Sequence, residues 1–317
     1  MKKFLSTIVL FLISFGLFYS VFICIVWPIV PKTAQTNLKY PYASYGHMLS
    51  RLKEVKSVDS VSILFLGSSH AYRGFDTRLF EAIDLQTFNL GSSAQTPIQT
   101  EVLLQRYLDG LAPRLVIFEV NPNSFSSDGV ESALDVIAND QIDLKTISMA
   151  MKVSHLSCYN ALLFRGYLSL FKTKEDFFNE AKVKGEDRYI SGGYVEKQLR
   201  FNRPGKPYHF DVVYKDQQLK AFERILDQLR HRKIPYYLVQ APVTTIGYTA
   251  CNDNAGFDQL MRMKGPYINY NHLLKLNDSL HFYDTHHLNQ NGVKVFNQYF
   301  IDHLIRPYFK ANSDSKN

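Results

Sequence analysis

Cysteine is nearly missing from this chain: three in 317 residues, Cys24, Cys158 and Cys251, with no Cys-x-x-Cys pair. That excludes a cysteine metal site and a disulfide-dense scaffold. In an oxidising compartment Cys158 and Cys251 could form one bridge, and two separate buried thiols fit their spacing equally well. Tryptophan occurs once, as Trp27, and the 16 glycines and 12 prolines are too few for a collagen-like or low-complexity chain. With 46% hydrophobic residues the sequence is not disordered either. Its 36 Lys+Arg against 29 Asp+Glu leave +7, too mild a surplus to argue for nucleic-acid binding. Acidic residues are wholly missing from the first 30 positions, where Lys2 and Lys3 are the only charges.

What fills that gap is apolar. Phe4 to Val30 is 27 residues without a charge, and as a helix it would reach across a hydrocarbon layer roughly 30 Å thick, with tilt. Buried core helices seldom run so far without a polar face. A cleaved signal peptide would have a shorter apolar region and a small-x-small site, and a lipoprotein signal would have small residues where Val21, Phe22 and Ile23 precede Cys24. Residues 4–30 therefore read as an uncleaved, single-pass transmembrane signal anchor embedded in membrane lipid. The lysine pair on its short side predicts a cytoplasmic N-terminus and residues 31–317 in the periplasm or outside the cell, with Lys32 and Lys39 weakening the asymmetry. Trp27 and Tyr40 to Tyr45 then fall near the outer interface. The remaining 287 residues carry +5 and are about 43% hydrophobic, enough for a large core.

A polar tether over 31–56 leads into strands and helices in alternation. Val61–Leu66, Thr87–Leu90, Leu115–Val120 and Ile234–Ala241 read as short buried strands, and Thr77–Ile83, Thr96–Leu111, Tyr214–Arg232 and Asn289–Ile305 as helices. The pattern predicts an α/β domain over 57–311 with a parallel sheet covered on both faces. It breaks at about 124–213, a mostly helical insertion around Ile142–Phe178 followed by a Gly-, Pro- and Tyr-rich part, expected on the ligand side of the sheet. Residues 312–317 read as a disordered tail.

In such a sheet ligands bind beyond the carboxyl ends of the strands. Gly67-Ser68-Ser69-His70 follows the first strand, Gly91-Ser92-Ser93 the second, and Asn121-Pro122 the third, which ends Glu119-Val120. Asp284-Thr285-His286-His287 precedes the last helix, with Gly292 beyond. A hydroxyl nucleophile needs a base, the base an orienting carboxylate, and the developing oxyanion fixed donors. All four parts are present.

In this order the residues resemble the SGNH (GDSL-like) hydrolase family over roughly 61–123 and 214–305. The resemblance implies a flavodoxin-type three-layer sandwich, with Ser69 as nucleophile, His287 as base and Asp284 as orienting acid. It further implies the Ser69 N–H, the Gly91 N–H and Asn121 as oxyanion donors, although Asn123 could take the place of Asn121 and His286 that of His287. Ser68 stands where the family usually has Asp, and Glu119-Val120-Asn121-Pro122 replaces a Gly-x-Asn-Asp run. The serine pair behind a single anchor is similar to the DltD-like and alginate-acetylation-type members, which work beside a membrane-bound O-acyltransferase (MBOAT). The implied activity is that of a serine esterase or O-acyltransferase acting on acyl, chiefly acetyl, esters of an extracytoplasmic polysaccharide, with an MBOAT-type partner and without metal or organic cofactor. The altered blocks also admit a non-catalytic scaffold that binds glycan or the MBOAT partner.

His70 and Arg73 are candidate substrate contacts. A metal site from His281, His286 and His287 is disfavoured, because adjacent histidines project in different directions. Tyr189, Tyr194, Phe201, Tyr208 and Phe210, interleaved with Arg188, Arg200, Arg203 and Lys206, offer either a sugar-stacking platform or an ordinary packed loop.

Overall fold

The apolar N-terminal run folds as α1 (Lys2–Val26), almost entirely exposed and long and apolar enough to cross a membrane. The computed structural model describes residues 1–26, 29–31, 40–171, 178–203 and 205–314. Trp27, Lys32, Lys39 and the end of the tail at 315–317 lie outside the described residues.

The tether reading does not hold from residue 40 onward. Met48, Leu52 and Val55 recur at helical spacing, and they bury α2 (Met48–Glu54) and the turn after it in the core. Arg51 is buried with them, and its guanidinium donates to the Gly193 carbonyl at 2.9 and 3.2 Å. The predicted alternation follows, with an unpredicted short helix α3 (Ser69–Gly74) after β1 (Ile63–Leu66) and the other elements within two residues of their expected bounds: α4 (Thr77–Glu81), β2 (Thr87–Asn89), α5 (Pro97–Leu111) and β3 (Leu115–Glu119). The start of α5 is set by a Thr96/Gln99 capping box with Pro97 in the first turn.

The insertion divides in two. Of its helices, α6 (Pro122–Ser126) borders a cleft at the carboxyl end of β3, whereas α7 (Val130–Asn139), α8 (Leu144–Val153) and α9 (Leu156–Leu168) pack into the body of the domain. Ala133, Val136, Ile137, Met149, Ala150 and Ala161 join the core that α5 closes, so this half widens a helical layer. The second half is an antiparallel sheet of β4 (Val183–Lys184), β5 (Asp187–Ile190) and β6 (Tyr194–Lys197), missed because its residues alternate polar and apolar over only a few positions. Its Gly192 carbonyl accepts the Asn89 N–H at 2.8 Å, so this hairpin lies at the carboxyl end of β2.

The chain returns through α10 (Asp216–His231), β7 (Tyr236–Gln240), α11 (Thr245–Ala250), α12 (Asn254–Lys264), β8 (Tyr267–Asn269), α13 (Tyr270–Leu273) and α14 (Gln290–Phe300). A π-helical turn, Ile301–Ile305, carries α14 on into α15 (Arg306–Asp314), so helix extends into the expected tail. The five parallel strands run in the order β2-β1-β3-β7-β8, the flavodoxin-type order. Ile63 is registered between Thr87 and Leu115, Val116 with Tyr236, and Leu238 with Tyr267. Both faces are covered: Leu64, Leu66, Val116 and Phe118 pack toward α5 and α10, and Phe65, Ile117 and Val239 toward Phe75, Phe296 and Phe300. The result is a three-layer α/β sandwich, whose strands are apolar on both sides for that reason. Cys158 and Cys251 are separate free thiols, and burial pushes that of Cys158 up to about 12.

Candidate active site

At the end of β1 the chain turns at Gly67, with φ +136°, and a Cβ there would lie 2.8 Å from Glu119. Ser68 caps α3, its hydroxyl accepting the His70 N–H at 3.4 Å. Ser69 is therefore the first residue of that helix. Its side chain stands at the carboxyl edge of the sheet, and its N–H has no acceptor within α3.

The opposing loop, Tyr283–His287, is closed by a bridge between Phe282 and Leu288. Asn289 fixes its far end: the side chain accepts the Gly292 N–H at 3.1 Å and donates to the Leu280 and Arg200 carbonyls at 3.0 and 2.9 Å. A Cβ on Gly292 would fall 2.1 Å from the His281 carbonyl oxygen. Gly292→Ala is therefore expected to cost about 1–3 kcal/mol through overpacking, to be read from urea unfolding; an unchanged midpoint would refute this packing.

The two halves meet in an unbroken hydrogen-bonded chain. Ser69 Oγ lies 2.7 Å from His287 Nε2, and His287 Nδ1 lies 2.9 and 3.0 Å from the two Asp284 oxygens. Asp284 Oδ1 also accepts the backbone N–H groups of His286 and His287, both at 2.8 Å. Burial works against ionisation of Asp284, but the His287 bond and these amides outweigh it and hold the carboxyl well below its ordinary range. The His287 ring is flanked by two near-parallel rings, Tyr283 at 5.4 Å and His70 at 5.1 Å between centroids.

The neighbouring histidines take other positions. His286 is turned 78° from His287, and its Nε2 meets the Tyr208 hydroxyl at 3.3 Å, so His287 alone of the pair faces Ser69. His281 Nδ1 accepts the Asn277 N–H at 2.8 Å, and the three histidines do not converge. His70 Nδ1 lies 3.1 Å from Ser68 Oγ, while its Nε2 is buried without a hydrogen-bond partner. Burial first, then His287 and His286, hold its imidazole well below the ordinary range, hence neutral.

Of the three expected oxyanion donors, Gly91 and Asn121 are occupied. The Gly91 N–H donates to Asn89 Oδ1 at 3.0 Å. Asn121 Nδ2 donates to Ser68 Oγ and to Glu119 Oε1, each at 3.2 Å, and Asn121 Oδ1 accepts the Ser124 N–H as the cap of α6. Asn123, the alternative to Asn121, is exposed on α6. Arg73 borders the cleft at His287, but its guanidinium is bidentate to Asp187 at 2.7 and 3.0 Å, which fixes β5 to α3.

Two further participants escaped the sequence reading. Glu119 is buried beneath Ser68, whose N–H and hydroxyl meet its Oε2 at 3.3 and 3.2 Å. Burial pushes its carboxyl up to about 7, against the opposing bonds from Asn121 and Ser68. An acid closing the otherwise apolar strand Leu115–Glu119 was the signal available. Tyr283, next to Asp284, was an aromatic on the same turn. The aromatic run splits: Tyr189 and Tyr194 are buried, whereas Phe201 and Tyr208 are exposed, Tyr208 beside the site.

Two clefts adjoin the triad, with volumes of about 10 and 30 Å³. His70 and His286 border both, Arg73 and His287 the smaller, and Asn121, Phe210 and Tyr248 the larger. A larger cavity, about 520 Å³, lies elsewhere, among Glu54, Asp59, Thr77 and Thr87. No family model matches this chain, and no curated protein matches it.

Proposed function

We propose that this protein is a membrane-anchored, SGNH-type serine esterase or O-acyltransferase acting on acyl esters of an extracytoplasmic polysaccharide. The observation that carries this reading is the chain from Ser69 through His287 to Asp284 at the carboxyl edge of a parallel sheet. Ser69 Oγ attacks the ester carbonyl while His287 Nε2 takes its proton. The bond to the sugar oxygen then breaks, that oxygen leaves with the proton from His287, and the acyl group stays on Ser69. Water or a second glycan hydroxyl reverses these steps, giving hydrolysis or transfer. The unaccepted Ser69 N–H is the first oxyanion donor, joined by Asn121 or Gly91 as their present partners release them.

In this reading the acyl group is a short one, chiefly acetyl. The α1 helix supplies the anchor, with the N-terminus cytoplasmic and the domain outside. The partner in this reading is an MBOAT-type acyltransferase in the same membrane, exchanging the acyl group with Ser69.

Occupation of Gly91 and Asn121 by internal partners favours a second reading, a non-catalytic scaffold of the same fold that binds glycan or that partner. A serine-directed fluorophosphonate separates the two. The full-length protein in detergent is expected to be labelled, with label lost in Ser69→Ala and in His287→Ala and kept in Ser93→Ala. Folded wild-type protein that takes up no label would leave the scaffold.

A further inference from the structure

We infer that helix α9 lies flat on the surface of the bilayer that α1 crosses, so that the domain is seated on lipid rather than suspended above it. The inference rests on reading α1 as a membrane span, and is independent of any activity at Ser69.

Residues on both sides of the junction between anchor and domain grip α9 at one place. Ile23 and Phe164 pack together with Tyr19, Tyr40 and Leu168, and the Tyr19 hydroxyl donates to Asn160 Oδ1 at 2.8 Å. Tyr40 meets the Phe164 ring edge-on at 5.1 Å. A span needs about 20 of the 27 uncharged residues from Phe4 to Val30, so Ile23 lies at or just inside its outer boundary. The α9 residues that touch Ile23 and Tyr19 are thus held at the depth where acyl chains give way to headgroups.

At that depth the outer flank of α9 is apolar. Leu156, Tyr159, Leu163 and Tyr167, followed by Leu170 and Phe171, recur at spacings of one helix turn. They are 37–77% exposed, while Cys158 and Ala161 on the inner flank are buried in the core. A helix with a packed apolar flank and an exposed apolar flank has a second apolar environment to satisfy. The charge pattern identifies it. Between Asp143 and Glu175 the sequence carries Lys145, Lys152, Arg165, Lys172 and Lys174 and no acidic residue, and of these Lys152 is paired with Glu101. An apolar and aromatic flank in a stretch with a surplus of cations is what an anionic lipid surface binds.

The single native tryptophan makes the test direct. In full-length protein with Trp27→Phe, reconstituted in nanodiscs containing phosphatidylglycerol, Leu163→Trp and Tyr167→Trp each report on α9. Val295→Trp, at an exposed position of α14 across the sheet, is the control. Lipids brominated near the headgroup end of the acyl chain are expected to quench the two α9 tryptophans at least about twofold and to leave Val295→Trp unaffected. If both α9 tryptophans behave like Val295→Trp while Trp27 of the unaltered chain is quenched, the anchor stands and the lipid seat is overturned, leaving the stripe to a protein partner. Trp27 itself unquenched would overturn the span and the seat together. Circular dichroism matching the parent protein establishes that each variant is folded.

Discussion

Asp284→Asn is expected to slow acylation of Ser69 by about 10³- to 10⁴-fold while leaving the domain folded. The reason lies in what an amide can and cannot reproduce. Its oxygen can still accept the backbone N–H groups of His286 and His287, which the carboxylate now holds at 2.8 Å, so the loop keeps its shape. Its NH₂ must then face His287 Nδ1, which would have to accept rather than donate. The imidazole proton moves to Nε2, and the nitrogen 2.7 Å from Ser69 Oγ loses the lone pair that takes the serine proton. The second-order rate constant for fluorophosphonate labelling, together with turnover of a short acyl ester, measures the effect. A rate within about tenfold of wild type would mean that Asp284 does not orient the base.

The second large effect is on stability and comes from Glu119. Its folded-state pKa of about 7 stands above the value of an exposed glutamate. Over the interval between the two the folded protein binds more protons than the unfolded chain, so stability falls as pH rises, by about 3 kcal/mol in all. Below the lower value both states are protonated and the penalty vanishes; above pH 7 it is complete. Glu119→Gln removes the titration. Its melting temperature, compared with wild type at each pH from 4 to 8, is expected to be level with or below wild type at the acid end and to gain on it steadily toward pH 7. Parallel curves would show that Glu119 is not held protonated.

How far the sequence could be read followed from how local each signal was. The runs at Ile63, Leu115 and Tyr236 are buried on both faces, and such strands announce themselves by being apolar throughout. The Asp284-x-x-His287 pair and the Gly67-Ser68-Ser69 turn are local as well, because the turn chemistry and the site chemistry use the same residues. What escaped depends on distant partners. Arg51 looks like a surface cation until Gly193, 142 positions away, accepts its guanidinium. β8 has three residues and exists because Leu238 to Gln240 pair with it. Gly91 and Asn121 stand at the strand ends where a donor belongs, yet Asn89 and Glu119 decide where their N–H groups point. The hairpin of β5 and β6 was hidden by composition, and so was the fixing of Asp187 by Arg73, which turned a candidate substrate contact into a brace.

The bonds that hold both nitrogens of His287 impose an order of events on the proposed cycle. With Nδ1 on Asp284, Nε2 on Ser69, and Tyr283 and His70 lying near-parallel beside the ring, the same nitrogen deprotonates the incoming hydroxyl on the side from which the first alcohol departed. Donor and acceptor then take turns in one place. Initial rates measured against both substrates should give parallel double-reciprocal lines, the signature of ping-pong exchange, and excess acceptor should inhibit by entering before the donor has left its acyl group behind.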